Sequence, residues 1–424
     1  MIADHVRTYY AHTVAGPPAR RPLSGDIETD VCVIGGGMAG LSTALGLAER
    51  GRRVVVLEQH RIAWGASGRN AGFVGAGFAG EPLNLPRRVG AEPARKLYSL
   101  TIEAVELVRR RVRDLAIPCD FVAGGSIEAW WTDSADNTRR YQDRMAKAFG
   151  VELEFWPRER LRQLLRTTRY FDGLYNPRSF SFHPLKYALG IATAIEAQGG
   201  QVFETSAAVS HELEGPLKTI RTDSGSVRAR QVVFAGGGYM QNLYRPIAAA
   251  IQPISTYIMV TEPLGETLAQ AIRCQAGVID SRFDFDYYRP LSDTRILWGG
   301  GITIRQRDPQ HLSEWLRRRM LAVYPQLAGV RADFAWSGFM PYPRHSMPLI
   351  GQVSPDVWYA TGFGGNGMAT TAMAGELVAG AIAQGDDRYR LFAPFGLDWT
   401  GGIIGLGAVQ ATYWYYKLRD ALRR

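Results

Sequence analysis

Lysine is scarce in this chain. Lys96, Lys147, Lys186, Lys218 and Lys417 are the only five among 49 basic residues, so arginine carries nearly all of the net charge of +9. Cysteine is scarcer still. Cys32, Cys119 and Cys274 are odd in number, widely separated and free of CxxC spacing, which argues against a disulfide framework and leaves reduced interior thiols as the expectation. The histidines form no cluster, so no metal site is expected. Residues 1–25 lack the apolar stretch of a secretory signal and are rich in Pro, Arg and Tyr instead, which predicts a cytoplasmic protein. The basic residues are dispersed and no RNA- or DNA-binding signature accompanies them, so the charge reads as a basic surface with no nucleic-acid partner. Internal repeats and low-complexity segments are also missing. At 424 residues the chain is long for one core, and two interleaved domains are expected.

The most specific feature present is the stretch 30–68, DVCVIGGGMAGLSTALGLAERGRRVVVLEQHRIAWGASG. Asp30 to Ile34 is a short apolar run of the kind buried on both faces of a parallel sheet. It feeds into Gly35, which permits the tight turn, Gly37, which lets a phosphate approach the backbone, and Gly40, which lets the following helix pack closely on the strand. Gly36, Met38 and Ala39 complete the turn, whose free helical amides face a pyrophosphate. A second apolar strand, 53–57, ends in Glu58, with Gln59 beside it, eighteen residues after Gly40. A carboxylate so placed accepts ribose hydroxyls. Glycines, flanking elements and acidic residue together specify a dinucleotide site, read here as FAD.

Further along, an amphipathic run from Glu92 to Ile117 places Leu97, Thr101, Ala104, Val108, Val112 and Leu115 at helical spacing, and Pro118 stops it. Strand-like blocks return at 201–205, 207–213 and 231–235. Ala235 and Gly236 open a glycine run that offers a second cofactor contact. Segments 251–262, 283–290 and 294–301 are rich in β-branched and aromatic residues and resemble an antiparallel sheet. A strand at 357–361 precedes Phe363 and then Gly364, Gly365, Asn366, Gly367 and Met368, which open a helix towards Gln384. No second GxGxxG follows a strand, so the reducing equivalents should come from the substrate rather than from NAD(P)H.

Taken in order, these motifs resemble the D-amino-acid oxidase superfamily of FAD-dependent oxidoreductases. The similarity includes the Tyr9-Tyr10 pair, GASGRN at 65–70, HPL at 183–185, DYYR at 286–289, WGGG at 298–301, YPQL at 324–327 and the Tyr-rich tail. It implies an α/β fold of two domains: a Rossmann-like FAD-binding domain interleaved with an antiparallel-sheet substrate domain, plus a C-terminal helical tail. The expected division is an arm at 1–27, a cofactor domain at 28–91, 172–250 and 326–395, a substrate domain at 92–171 and 251–325, and a tail at 396–424. The resemblance also implies that Gly65, Ala66, Ser67, Gly68, Arg69, Asn70, Ala71 and Gly72 lie beside the flavin. Val209 would contact the adenine through its backbone, and Gly364 to Met368 would lie near the flavin pyrimidine.

Departures from the superfamily pattern carry information too. Relatives that attach FAD covalently use a cysteine in the loop matching 336–345, whereas no cysteine follows Cys274; noncovalent FAD is implied. The lysine that such relatives use on oxygen would fall at 294–299, where none occurs, which closes that route and leaves oxygen and a quinone both open as acceptor. Amino-acid oxidases hold a substrate carboxylate with an arginine where Met340 precedes Pro341, and methionine cannot form that bidentate pair. The implied reaction is hydride loss from a carbon bearing an amine, giving an imine and then a carbonyl, with a γ-glutamylated polyamine or related amine as small-molecule substrate. Two alternatives stay open: an amino-acid or N-alkyl-amino-acid dehydrogenase feeding a quinone, and a non-catalytic flavin-binding redox sensor.

Candidate substrate contacts are Tyr288, Arg289, His183 and His345. Alternate side chains on a strand face opposite sides, so one tyrosine of the 287–288 pair should face the pocket, and Tyr288 is favoured over Tyr287. His183, before Pro184 at a helix start, is equally suited to capping, and His345 to a surface position. Residues 399–416 carry no charge, but four glycines, Gln410 and three tyrosines make them too polar for a membrane span. A docked helix is expected there. Peripheral membrane contact through it and the basic end Lys417, Arg419, Arg423 and Arg424 is the less favoured alternative.

Overall fold

The computed structural model describes residues 4–14 and 19–422, and Arg423 and Arg424 lie outside them. The apolar runs read from the sequence form the centre of a first, eight-stranded sheet. Strand Gly25–Ile34 pairs in parallel with Val54–Leu57 on one side and Gly225–Phe234 on the other. Gln201–Phe203 and Val357–Thr361 extend the parallel set at either end, and Leu349–Ser354 closes one edge in the antiparallel sense. Helix Met38–Ala48 is buried along its whole length, because it lies between this sheet and the helix Gly367–Gln384. A helix enclosed in this way needs apolar residues all round rather than along one stripe. Ala91–Asp114 packs on the same layer and buries Leu97, Thr101, Ala104 and Val108, four of the six residues on its expected face.

The second sheet also has eight strands, in the order Ala332–Tyr342, Gln252–Thr261, Ile296–Thr303, Asp286–Pro290, Gly277–Asp280, Ser126–Ala129, Gly173–Asn176, Glu154–Trp156. It is antiparallel except where Gly277–Asp280 runs parallel to Ser126–Ala129. Its membership differs from the expected division of the chain. Ala332–Tyr342 falls within 326–395 of the expected cofactor domain and Gly173–Asn176 within its 172–250 segment, yet both join this sheet. The reason is edge pairing: Gln252–Thr261 would otherwise expose a ten-residue row of unpaired amides and carbonyls, and Ala332–Tyr342 covers it.

The tail forms the helix Gly402–Leu422 and is docked. Phe283 lies against Tyr416 and Tyr413, with ring centroids at 4.5 and 5.6 Å. The Phe283 N–H donates to Asp420 Oδ2 at 2.7 Å, and Lys417 pairs with Asp284 at 3.1 Å. No described helix is long and apolar enough to cross a membrane.

Candidate active site

The two sheets enclose a cavity of 1420 Å³, larger than the roughly 300–1,000 Å³ of ordinary small-molecule sites. One end is built by the first sheet. Gly35 adopts φ +112°, and a Cβ there would sit 2.8 Å from the Ala235 carbonyl oxygen. A Cβ at Gly40 would sit 2.0 Å from the carbonyl oxygen of Gly35, so close packing of helix on strand requires glycine. Gly37 caps helix Met38–Ala48 with no side-chain bond. Its neighbour Met38 donates its N–H to Ser67 Oγ at 2.9 Å.

Glu58 lines the same end and is almost wholly buried. Its carboxylate accepts from the Gly36 N–H at 2.7 Å and the His60 N–H at 2.9 Å. Burial nevertheless pushes its pKa up to about 7, because two amide bonds do not replace the lost hydration. Hydroxyl donors from a ribose would supply the missing stabilisation. Arg69 is held over the Trp64 ring at 4.3 Å and donates Nε to the Trp64 carbonyl at 2.8 Å, but its buried Nη2 has no hydrogen-bond partner among the described residues. An orphaned guanidinium nitrogen and an under-solvated carboxylate facing one cavity fit a dinucleotide with acceptors and hydroxyls to offer.

Gly65, Ala66, Ser67, Arg69, Asn70 and Ala71 line the cavity, as do Met38, Ala39, Gln59, Ala235, Gly236, Gly364, Gly365, Asn366, Gly367 and Met368. Gly36, Gly40, Gly68, Gly72 and Val209 are not among the residues that line it, and Val209 is exposed. The Val209 N–H is committed to the Arg221 carbonyl at 2.9 Å, while its neighbour Ala208 lines the cavity.

The second sheet supplies the facing wall through one row of side chains that crosses it strand by strand. Trp336 is level with Ile258, Ile258 with Gly299, and Gly299 with Tyr287. Tyr287 is level with Ile279, Ile279 with Glu128, and Glu128 with Leu174. All but Gly299 line the cavity. A Cβ on Gly299 would sit 2.0 Å from the Tyr287 ring, so this glycine of WGGG makes room for that ring to lie flat along the sheet. The Tyr287 hydroxyl is 3.3 Å from Thr256 Oγ1, and burial raises its pKa above the ordinary phenol range.

Four expected substrate contacts are corrected by this geometry. Tyr288 does not face the cavity. Its ring stacks on Trp298 at 4.3 Å and its hydroxyl meets Tyr324 at 2.9 Å in the core behind the sheet. Alternation therefore selected Tyr287. Arg289 shares the Tyr287 face but braces the flavin-side loop, donating Nε to the Ala71 carbonyl and Nη2 to the Phe182 carbonyl, each at 2.9 Å. His183 caps helix Pro184–Ala197 by accepting the Lys186 N–H at 3.2 Å; its pKa is lowered to about 3, chiefly by burial, so it stays neutral. His345 accepts the Met347 N–H through Nδ1, and its Nε2 meets the Gly396 carbonyl at 3.2 Å. No histidine among the described residues lines the cavity.

Sequence reasoning missed Tyr287, Thr256 and, at the far end of the row, Glu128. Tyr98 and Tyr141 stand near Glu128, close enough for its charge to raise both phenols, although burial is the larger cause. Tyr287 lies in DYYR, which does not say which tyrosine faces inward, and Thr256, Glu128, Tyr98 and Tyr141 carry no motif. Their only signal is alternation on strands whose register is not yet known.

Comparison with known proteins agrees with this architecture. A family model described as DAO, FAD-dependent oxidoreductase, matches residues 30–381. The chain is 33% identical to gamma-glutamylputrescine oxidoreductase of Escherichia coli K12, over 99% of this chain and 100% of that protein. It is 32% identical to the probable oxidoreductase OrdL of Haemophilus influenzae, over 99% and 98%. Among solved structures, glycine oxidase from Geobacillus kaustophilus superposes with a TM-score of 0.74 at 21% identity, covering 88% of this chain and 98% of that one.

Proposed function

The chain belongs to the DAO family of FAD-dependent oxidoreductases, and on that premise we propose that it oxidises an amine, with a γ-glutamylated polyamine or a related amine as its substrate class. The observation that carries this reading is the continuity of one cavity from the glycine cradle and Glu58 to the Tyr287 row. The full-length likeness to a γ-glutamylputrescine oxidoreductase supports the choice of amine, as does Met340, which lines the cavity without the guanidinium that would hold an α-carboxylate.

The cradle and residues 364–368 would hold FAD noncovalently, and the cofactor would supply the two-electron acceptor for the hydride lost from the carbon bearing the amine. The chain supplies the surroundings. Ile258, Phe339, Met340 and Tyr342 line the cavity with largely apolar surface, and desolvation there lowers the pKa of a bound ammonium, favouring the neutral amine whose lone pair assists hydride loss. Its proton leaves to solvent, with no dedicated protein base. Tyr287 and Thr256 offer paired hydroxyls that orient the amine nitrogen. The helix Gly367–Gln384, whose Asn366 cap makes no side-chain bond, presents free amides that stabilise negative charge at that end by about 0.3–2 kcal/mol.

The test is product chemistry. The purified protein is incubated with γ-glutamylputrescine, simple polyamines and amino acids together with a hydrazine trap, under oxygen and then with a soluble quinone. A trapped carbonyl from an amine supports the reading, and the acceptor that sustains it separates oxidase from dehydrogenase. A trapped α-keto acid from amino acids alone would transfer the assignment to that class.

A further inference from the structure

Glu128 is the group in the cavity that the reaction outlined above leaves unexplained. It lies half-buried on Ser126–Ala129 in the cavity-facing row, and its carboxylate makes no ion pair or hydrogen bond among the described residues. Burial pushes its carboxyl up to about 7, with the charge of Glu81 adding to the shift. A half-buried carboxylate that faces a cavity without a protein partner is left for water or a cationic ligand to complete. The groups that face it agree on sign. Glu81 lines the same end and accepts the Leu83 N–H at 3.1 Å, while Tyr98 and Tyr141 offer ring faces and hydroxyls. The cavity's arginines lie elsewhere: Arg69 beside Trp64, Arg282 fastened to Asp280 and Asp286, and Arg344 exposed at the rim. This end is therefore built for a cation.

Register gives the reach. Tyr287 and Glu128 are separated by two strand steps, through Ile279, which is about 10 Å at ordinary strand spacing. We propose that Glu128, with Glu81 at its edge, binds a second positively charged nitrogen of the substrate, so that this protein selects amines carrying an ammonium group about 10 Å from the oxidised end. The inference rests on the amine reading above and narrows it. Both an unmodified α,ω-diamine or polyamine and an aminoacylated diamine, whose α-ammonium is the distal charge, have this chemistry.

The test separates binding from turnover. Holoenzyme is titrated calorimetrically with α,ω-bis(trimethylammonium)alkanes and with alkyltrimethylammonium ions of equal length, none of which has the nitrogen lone pair that oxidation needs. Wild type should bind the dication about tenfold more tightly or better. Glu128→Gln should reduce that ratio to near one, and Glu128→Asp, which keeps the charge, should restore part of it. Equal binding of the two ions by wild type, or a ratio unchanged in Glu128→Gln, overturns the proposal.

Turnover of diamines, aminoacylated diamines and their analogues with the distal nitrogen acylated then identifies the source. The source is whichever series shows a raised KM in Glu128→Gln while its kcat holds, and if neither series does so the substrate assignment falls. If the dication preference depends on Glu128 but no amine yields a carbonyl, the amine-oxidation reading fails while the cation site stands.

Discussion

Thr256 Oγ1 and the Tyr287 hydroxyl meet at 3.3 Å on the cavity side of a sheet whose opposite face holds Tyr288 against Trp298 and Tyr324. Two adjacent tyrosines thus face two different environments, and their phenylalanine variants should separate. Tyr287→Phe should slow amine turnover by about tenfold with the melting temperature little changed, because one orienting hydroxyl is lost from a cavity that water can reach. Tyr288→Phe should leave kcat and KM near wild type while costing about 1–2 kcal/mol in denaturant unfolding, since Tyr324 loses its buried partner. Equal kinetic losses in both variants would contradict the assignment of faces. Glu128 yields a second expectation. Its pKa in the fold, about 7, lies above the roughly 4.3 of an unfolded glutamate, so the folded form holds the proton longer. The destabilisation is absent below about 4.3, grows as pH rises towards 7, and is complete above it. Glu81, Tyr98 and Tyr141 face the same group and none supplies a compensating cation. Glu128→Gln should therefore raise the melting temperature of the substrate-free protein more at pH 8 than at pH 5. A gain independent of pH would place the cause elsewhere.

At the scale of elements, glycines decide what can approach what. Gly299→Ala would put a Cβ within 2.0 Å of the Tyr287 ring. The ring must then swing away from the sheet, and turnover should fall as far as in Tyr287→Phe while bound flavin, read from its visible absorbance, stays stoichiometric. In Gly37→Val the side chain enters the space before the Ser67 hydroxyl, and the purified protein should be colourless. These elements also show why some of the site was legible in the sequence and some was not. The strand, glycine turn, helix, strand and acidic residue from 30 to 58 are local, each enforced by a steric or hydrogen-bonding need within a few residues, and they point to their cofactor without knowledge of the fold. The facing wall is not local. Trp336, Tyr287 and Glu128 come from distant segments and share a row only through strand register, which no single segment specifies. DYYR was recognisable, but deciding which tyrosine faces the cavity needed Gly299 on the neighbouring strand. Arg289 and His183 misled for a related reason: polar residues in a conspicuous motif can serve a carbonyl or a helix end as readily as a substrate.

Across the whole molecule, the cavity draws its wall from segments as far apart as Ile34 and Tyr413. Trp399, Gly405, Val409 and Tyr413 line it, so the tail helix forms part of its wall, fastened through Phe283, Asp284 and Asp420. Truncation after Asp398 should leave the flavin bound, because none of residues 35–72 or 364–368 is removed, but should raise KM for the amine and increase iodide quenching of flavin fluorescence. Unchanged quenching would show that the tail does not seal the site. The central claim is that an amine bound against the Tyr287 row reduces FAD held in the glycine cradle. Anaerobic stopped-flow absorbance tests it most directly, mixing the yellow holoenzyme with amines of increasing length and with amino acids. Bleaching near ~450 nm in a single substrate-dependent phase, with amines and not with simple α-amino acids, is the predicted result; a flavin that stays fully oxidised with every amine, while dithionite reduces it, would contradict the account.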